Sequence, residues 1–473
     1  MRKILLIFII TSFLIFLSSI NPIDVFVHKK FDTDLDQMIT RGSLIVSTSK
    51  NSLDYFLYKG EPLGFQLEVL EDLGNYLGLK LEVMVCDDPA ENIKLLRSGR
   101  SDMIASSWNL STSIRDFAVN SEPLLKTDLV LVQRKNSHPS NKDSVHLMQH
   151  LVTNLLELQG KTVYVPAMSK QAGIIEHINK IIHQQVQVVE MPHFSQEEIV
   201  EMVADGSVDY TICNGILADT YAANYPTLDF GTLITSDEPI TWVFRKSSPE
   251  LIQRVNTWLI NYKGSSRFAL LIDKYFNQQN KWAISLNRYQ TIKEGKISAY
   301  DGLLKKYSTM IHWDWRLLAS LIYQESRFNP SVKSYRGAYG LMQMMPSTRQ
   351  YFGIDTSASP EQQIKAGVQY IKFLDKEFAD RIPDQKERIN FILASYNIGP
   401  GHILDAQNLA GKFGKDPNKW FKNVDTCLLT KSNPKQYKDP VVLFGYCNGI
   451  ETFNFVREII NRYQHYKNVI AEK

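Results

Sequence analysis

Cysteine is scarce: Cys86, Cys213, Cys427 and Cys447 are the only four in 473 residues. That excludes a disulfide scaffold and a cysteine-rich metal domain. No Cys-x-x-Cys pair, serine nucleophile elbow or phosphate-loop glycine pattern occurs, so those chemistries lack their signatures. Neither sign of charge is in excess. With 53 basic against 50 acidic residues and a net charge of +3, there is no electrostatic case for nucleic acid. Glycine (24) and proline (18) are ordinary, and 44% of residues are hydrophobic. This excludes collagen-like and disordered chains and leaves enough apolar surface for full cores. The length suits two or three domains. His146 and His150 have the spacing of a helical metal pair but lack a third ligand, so a solvated face is the preferred reading and no metal or other cofactor is expected.

The chain opens with Met1-Arg2-Lys3 and then a run of Ile, Leu and Phe over residues 4–20. A basic head before an apolar run reads as a signal peptide or an uncleaved N-terminal anchor, at the lower limit for spanning a bilayer. No cysteine lies near the run to carry a lipid. No second run of membrane length follows, so the bulk of the chain is expected outside the inner membrane. That compartment permits a pairing of Cys427 with Cys447, although connectivity is not legible in sequence.

From residue 41, short β-like runs alternate with helical ones. Leu44, Ile45 and Val46 form an apolar strand pattern. Phe65, Leu67, Val69, Leu70, Leu73 and Leu77 have helical spacing, and Leu79, Leu81, Val83 and Val85 alternate as a strand. A second round starts near Gly160, with strands expected at 162–165, 186–189 and 209–213. Helices are expected at 171–183 and 195–204, with Ser195 as a cap. The pattern predicts a multidomain chain led by an α/β domain over 41–276. Its two lobes are lobe 1, about 41–133 plus a C-terminal return, and lobe 2, about 134–240, with a ligand cleft between them. Residues 277–297 are a polar linker. Beyond it the β pattern stops, and 298–466 reads as a mainly α domain.

Within the helix expected over 315–327, Leu318, Leu321 and Ile322 share a face with Glu325. A carboxyl on a core-facing stripe is costly unless paired or protonated, and desolvation raises its pKa toward what a general acid needs. Pairing with Arg327 or Arg336 is the alternative. Residues 334–343 gather glycine and alanine around a turn, where small residues admit a bulky ligand. Gln343 adds a two-sided amide. Tyr396, Asn397 and Gly399 close a later helix, which a core aromatic and a C-cap glycine would explain equally well. Carboxyl, amides and aromatics together suit a sugar chain.

Three ordered motifs carry a resemblance: Glu325-Ser326-x-Phe328; Ser334-x-x-Gly337-Ala338-x-Gly340-Leu341-Met342-Gln343-x-x-Pro346-x-Thr348; and Tyr396-Asn397-x-Gly399. Over roughly 298–465 the chain resembles the soluble lytic transglycosylase family. The resemblance implies a lysozyme-like (goose-type) fold and cleavage of the MurNAc-β-1,4-GlcNAc bond of peptidoglycan, leaving 1,6-anhydro-MurNAc ends. It implies Glu325 as the catalytic acid/base. Ser334, Gly340, Met342, Gln343, Tyr396, Asn397, Glu451 and Phe455 become the implied substrate-binding residues. The substrate N-acetyl group stands in for the usual second carboxylate; Asp314, Asp355, Glu361 and Asp375 lie in no motif. Where the family has Glu-Thr-x-x-Tyr, this chain reads Glu451-Thr452-Phe453-Asn454-Phe455, losing a hydroxyl donor.

In the front half, Gly64-Phe65, Thr112-Ser113-Ile114-Arg115, Gly206-Ser207-Val208-Asp209 and Lys274-Tyr275-Phe276 resemble the solute-binding proteins of amino-acid transporters. This implies a periplasmic-binding-protein-like fold, with Arg115 forking onto a ligand carboxylate and Thr112 and Asn214 in the same site. A surface arginine paired with Asp116 or Glu122 is the alternative. Leu110 and Asn214 depart from the family's hydroxyl and aspartate. Asn214 lacks the charge that attracts an ammonium, so a muropeptide or other carboxylate-bearing wall fragment fits better than a free amino acid. An empty structural lobe is the other option.

The order of parts resembles envelope transglycosylases held peripherally at the outer membrane. The expected partners are therefore peptidoglycan glycan strands and a membrane surface. Two other functions stay open: a muramidase that uses water, and a non-enzymatic binding or sensor protein. Ligand in the front cleft is expected to alter the rear site.

Overall fold

The computed structural model describes residues 34–51, 53–107, 114–135, 151–182, 185–276 and 296–470. The apolar N-terminal run, Thr112, His146, His150 and nearly all of the expected linker lie outside them. No helix among the described residues is long and apolar enough to cross a membrane.

The front half holds two sheets. The first has the order Lys80–Val85, Ser43–Thr48, Met103–Ile104, Val243–Arg245, Ala118–Asn120. Its first three strands are parallel, and Val243–Arg245 returns antiparallel between its two neighbours. The second has the order Leu228–Asp229, Leu125–Arg134, Tyr210–Asn214, Thr162–Pro166, Gln187–Met191, with Leu233–Ile240 also on Leu125–Arg134. Leu125–Arg134 therefore belongs to the second lobe, and the crossing lies near 125 rather than 134. Its partners are Tyr210–Asn214 and Leu233–Ile240, both antiparallel and far away in sequence. Local alternation alone does not reveal such pairing.

The back half is helical. The helices Asp301–Ser308, Trp315–Ser326, Pro360–Ala379, Gln385–Ile398, Pro400–Lys412 and Ile450–Val469 surround one core that includes Leu318, Leu321, Ile322, Ile364, Phe391 and Val456. Starts are set by side-chain caps: Asp314 accepts from the Arg316 N–H, and Ser359 with Gln362 closes a capping box. All four cysteines are free, so Cys427 and Cys447 are not bonded to one another.

A β-hairpin, Phe56–Tyr58 paired with Glu61–Leu63, joins the halves. Its two turn residues, Lys59 and Gly60, have φ of 51° and 84°, the left-handed pair that a tight two-residue hairpin favours. Leu57 enters the helical core. The Tyr466 hydroxyl donates to Gly60 O (2.5 Å), and the Tyr323 hydroxyl to Glu61 Oε2 (3.1 Å). Nearby, the Tyr55 hydroxyl meets Nδ1 of buried His465 at 2.7 Å, and Asn468 Nδ2 donates to Val83 O (2.6 Å). Burial pushes His465 down to about 4, so this contact is made by a neutral ring.

Candidate active site

Glu325 sits one residue before the end of Trp315–Ser326. The next two residues, Arg327 and Phe328, have φ of 50° and 61°. Two consecutive non-glycine residues in the left-handed region cost roughly 1–2 kcal/mol each, so the surrounding packing holds them there. The Ser326 hydroxyl donates to Leu341 O (2.9 Å), stitching the following loop to the helix end beside Glu325.

The Glu325 side chain is only half-buried by surface, yet protein crowds it densely. Among the described residues no hydrogen bond or ion pair holds its carboxyl, and Arg327 and Arg336 lie exposed. Desolvation, helped by the nearby Glu451 carboxylate, pushes its pKa up to about 8. Glu451 is exposed, in the first turn of Ile450–Val469. It thus acts on the acid electrostatically, a role the motif alone did not indicate.

The loop over 330–345 is held by amides. Gln363, buried on Pro360–Ala379, accepts from the Leu341 N–H (2.8 Å) and donates to Pro330 O (3.2 Å) and Ala358 O (2.9 Å). Gly340 has φ +82°, and a Cβ there would lie 2.3 Å from Gln363 Oε1. Gly337 has φ +85° but would meet only the Pro346 ring, with Cγ at 3.4 Å and Cδ at 3.9 Å. Gly340→Ala is therefore expected to cost roughly 2–4 kcal/mol, from backbone strain plus a broken amide clamp, and Gly337→Ala clearly less. Urea unfolding of both checks this; equal losses would remove the clamp from the account.

Several motif residues spend their polar atoms on the loop itself. Gln343 Nε2 donates to Val332 O (3.0 Å) and Gly340 O (2.9 Å), leaving Oε1 without a partner among the described residues. Ser334 Oγ accepts from the Ala338 N–H (3.0 Å). The Met342 side chain is buried against Gly367, while its carbonyl accepts from the Tyr396 hydroxyl (2.7 Å). Asn397 Oδ1 accepts from the Thr452 hydroxyl (2.6 Å). Phe455 lies in the helical core. Gln363 and Tyr370, whose ring centroid is 5.2 Å from that of Tyr396, lie in no quoted motif. The available signal for Gln363 was an amide on the same helix face as Gly367.

A second site lies between the front lobes. A narrow, closed cleft with a cavity volume of about 30 Å³ is lined by Lys50, Asn51, Asp87 and Ser107 on one side and Gln171, Gln196 and Asn214 on the other. Asn214 Nδ2 donates across it to Ser107 O (2.5 Å), and Asp88 meets His193 Nδ1 at 2.7 Å. Arg115 is not there. Ile114 turns inward into a small core, and Arg115 beside it faces solvent. The one described cation lining the cavity, Lys50, lies 3.7 Å from Asp87. Below the cavity, fully buried Asp54 accepts from Asn51 Nδ2 (2.7 Å), Gln66 Nε2 (2.9 Å) and the Ser107 N–H (2.9 Å). Burial raises its pKa to about 6.

A half-buried carboxylic acid at a helix end beside a glycine-rich loop, behind a two-lobed cleft, defines a binding module fused to a glycan-cleaving module. Comparisons agree: residues 302–419 match the transglycosylase SLT domain, and residues 44–278 match bacterial extracellular solute-binding proteins, family 3. A protein of Desulfosudis oleivorans named membrane-bound lytic murein transglycosylase F is 29% identical over 89% of this chain and 89% of its own length. One of the same name from Vibrio vulnificus is 28% identical over 93% of this chain and 83% of its own. An ancestral arginine-binding protein of known structure is 22% identical, with a TM-score of 0.42, over 50% of this chain and 99% of that one. Over about 90% of its length the chain is thus similar to proteins named lytic murein transglycosylase F, and its two halves match the solute-binding and SLT models.

Proposed function

We infer that this protein cleaves the MurNAc-β-1,4-GlcNAc bond of peptidoglycan without water, with Glu325 as both acid and base. The observation that carries the reading is the Glu325 carboxyl itself: crowded, without a cation, and raised to about 8 so that it holds its proton at neutral pH. It gives that proton to the leaving glycosidic oxygen. It then takes the proton of the C6 hydroxyl as that oxygen bonds to the anomeric carbon of the same MurNAc. One C–O bond breaks and one forms, leaving a 1,6-anhydro end. Gln343, Tyr396, Asn397 and the backbone around Gly340 are assigned to holding the sugar.

Glu451 favours a second reading. A carboxylate facing the acid could activate water, giving a hydrolase of the same bond. Mass spectrometry of products from purified sacculi separates the two, because hydrolysis adds one water to each new end. Anhydro products support the first reading; hydrated ends alone replace it with the second.

The protein works in the cell envelope. We place it in the periplasm on the strength of the basic head and apolar run over residues 4–20, held peripherally at the outer membrane as its likeness to membrane-bound transglycosylases suggests, or anchored by that run if it is uncleaved. The front cleft, once its lobes part at the Asn214–Ser107 hydrogen bond, is assigned to a polar wall fragment such as a muropeptide. Its described lining carries carboxylates at Asp87 and Glu197 and one cation at Lys50, so an amine of the ligand is the better-matched group. A chain of contacts supports regulation: cavity, Ser107, Asp54, the hairpin at 56–63, then Tyr323 and Phe328, which stand two residues before and three after Glu325 in sequence.

A further inference from the structure

The loop before the Glu451 helix, together with the first residue of that helix, carries an unusual group of bare apolar side chains. Leu443, Phe444, Tyr446 and Ile450 are 79%, 56%, 60% and 55% exposed. Exposed apolar groups gathered in one segment mark a contact surface rather than ordinary scatter. The loop carrying them is firmly anchored. Asp405, itself buried, accepts from the Leu443 N–H (2.7 Å) and the Phe444 N–H (2.9 Å). The Asp405 charge is balanced by Lys431, fully buried at 2.5 Å. A buried pair of this kind is expensive to assemble and strongly destabilising to break from one side, yet here it fixes two backbone groups of a surface loop. Further along, Asn408 Nδ2 donates to Val441 O (3.1 Å) and Lys412 binds Asp439 at 2.5 Å.

The position of Phe444 is specific. Its ring covers Gly401 so closely that a Cβ there would lie 2.5 Å from ring carbon Cδ1. Gly401 is two residues past Gly399, which closes the helix bearing Tyr396 and Asn397. The His402 ring meets Phe444 edge-on, with centroids 6.4 Å apart. Lys431 Nζ lies 2.9 Å from His402 Nδ1 and can only donate, so His402 carries its proton on Nε2 as a further donor. The segment then runs through Gly449 into Glu451, which faces Glu325. An apolar ring face beside a fixed donor is the pairing a pyranose unit needs, for its C–H face and its ring-edge oxygens respectively.

We propose that Phe444, with His402 beside it, is a sugar-binding platform for the peptidoglycan glycan strand, and that Asp405 and Lys431 are positioning residues that hold it. The proposal rests on Glu325 cleaving that strand. The occupant follows from continuity with the site: the platform joins the Tyr396–Asn397 helix end at one side and Glu451 at the other.

The test uses the full chain and purified sacculi, with initial rates measured against sacculus concentration. Phe444→Ala is expected to raise apparent KM about 3- to 10-fold while kcat stays within about twofold, as loss of one aromatic contact implies. Phe444→Trp should restore KM. Lys431→Met should raise KM similarly and add nothing to Phe444→Ala, because both act through one ring. Should Lys431→Met fail to fold, the two Phe444 variants still decide. An unchanged KM in folded Phe444→Ala overturns the platform, as does a fall in kcat alone. If the unmodified protein releases no glycan product at all, the parent reading has failed instead, and the two failures are told apart.

Discussion

Glu325→Gln should lower release of anhydro-muropeptides from sacculi by roughly 100- to 10,000-fold, the usual share of a general acid. The amide is near in shape but has no acid proton to give. Folding and sacculus binding should persist, which a melting curve and a pelleting assay would register. Turnover within tenfold of the parent, in a preparation free of host lytic enzymes, would falsify Glu325 as the acid. The pH dependence follows from the same group. Its pKa is raised to about 8 against an ordinary 4.5, so the protonated form dominates through neutrality and the rate should decline above about pH 8. The sign for stability is the same: the neutral carboxyl suits the fold, and ionisation opposes it. The parent protein should therefore lose melting temperature relative to Glu325→Gln as pH rises from about 4.5 to about 8, where the loss levels off, and the difference should vanish below about 4.5.

Gly60→Val should have the largest effect on how the two modules fit. Gly60 has φ +84°, and a Cβ there would lie 2.8 Å from Phe328 Cε2, 2.9 Å from Tyr323 Cδ2 and 2.9 Å from the Tyr466 hydroxyl. A β-branched residue adds backbone strain to a steric conflict with two aromatic rings. About 2–5 kcal/mol of stability should be lost, and calorimetry should show one melting transition becoming two. Gly42→Ala is the control: its φ is +80°, but open space surrounds its Cβ position. It should cost about 1 kcal/mol from conformation alone. Tyr323 and Phe328 lie two residues before and three after Glu325 in the chain, so displacing them should shift the end of that helix and slow cleavage as well. Equal behaviour of the two variants would mean that the hairpin tip carries no weight in docking.

Much of this was legible from residue pattern. The helix Pro249–Tyr262 begins at a proline and shows a clean apolar stripe, and its bounds follow directly. Glu325 on the face of Leu318 and Leu321 marked a carboxyl in the wrong solvent. What escaped were contacts between distant segments. Leu125–Arg134 joins the second sheet through partners some 80 to 115 residues later, and no local alternation encodes that choice. Arg115 showed the opposite limit. Its motif carried a family role, yet buried Ile114 takes the inward position next to it. Gln363 was hidden for a third reason: a helix stripe tells which face is buried, not which buried amide will clamp a loop.

The four unpaired thiols have a practical and biological corollary. Cys213, Cys427 and Cys447 are buried, and burial raises each thiol's pKa, which suppresses the reactive thiolate. The fold needs no oxidising catalyst to mature, and a reducing agent has no native bond to attack. Formation of wrong pairs is a hazard only while the chain is unfolded, because three of the four thiols are buried once it folds. Material made under reducing conditions should thus have the same tertiary structure as material made under oxidising ones.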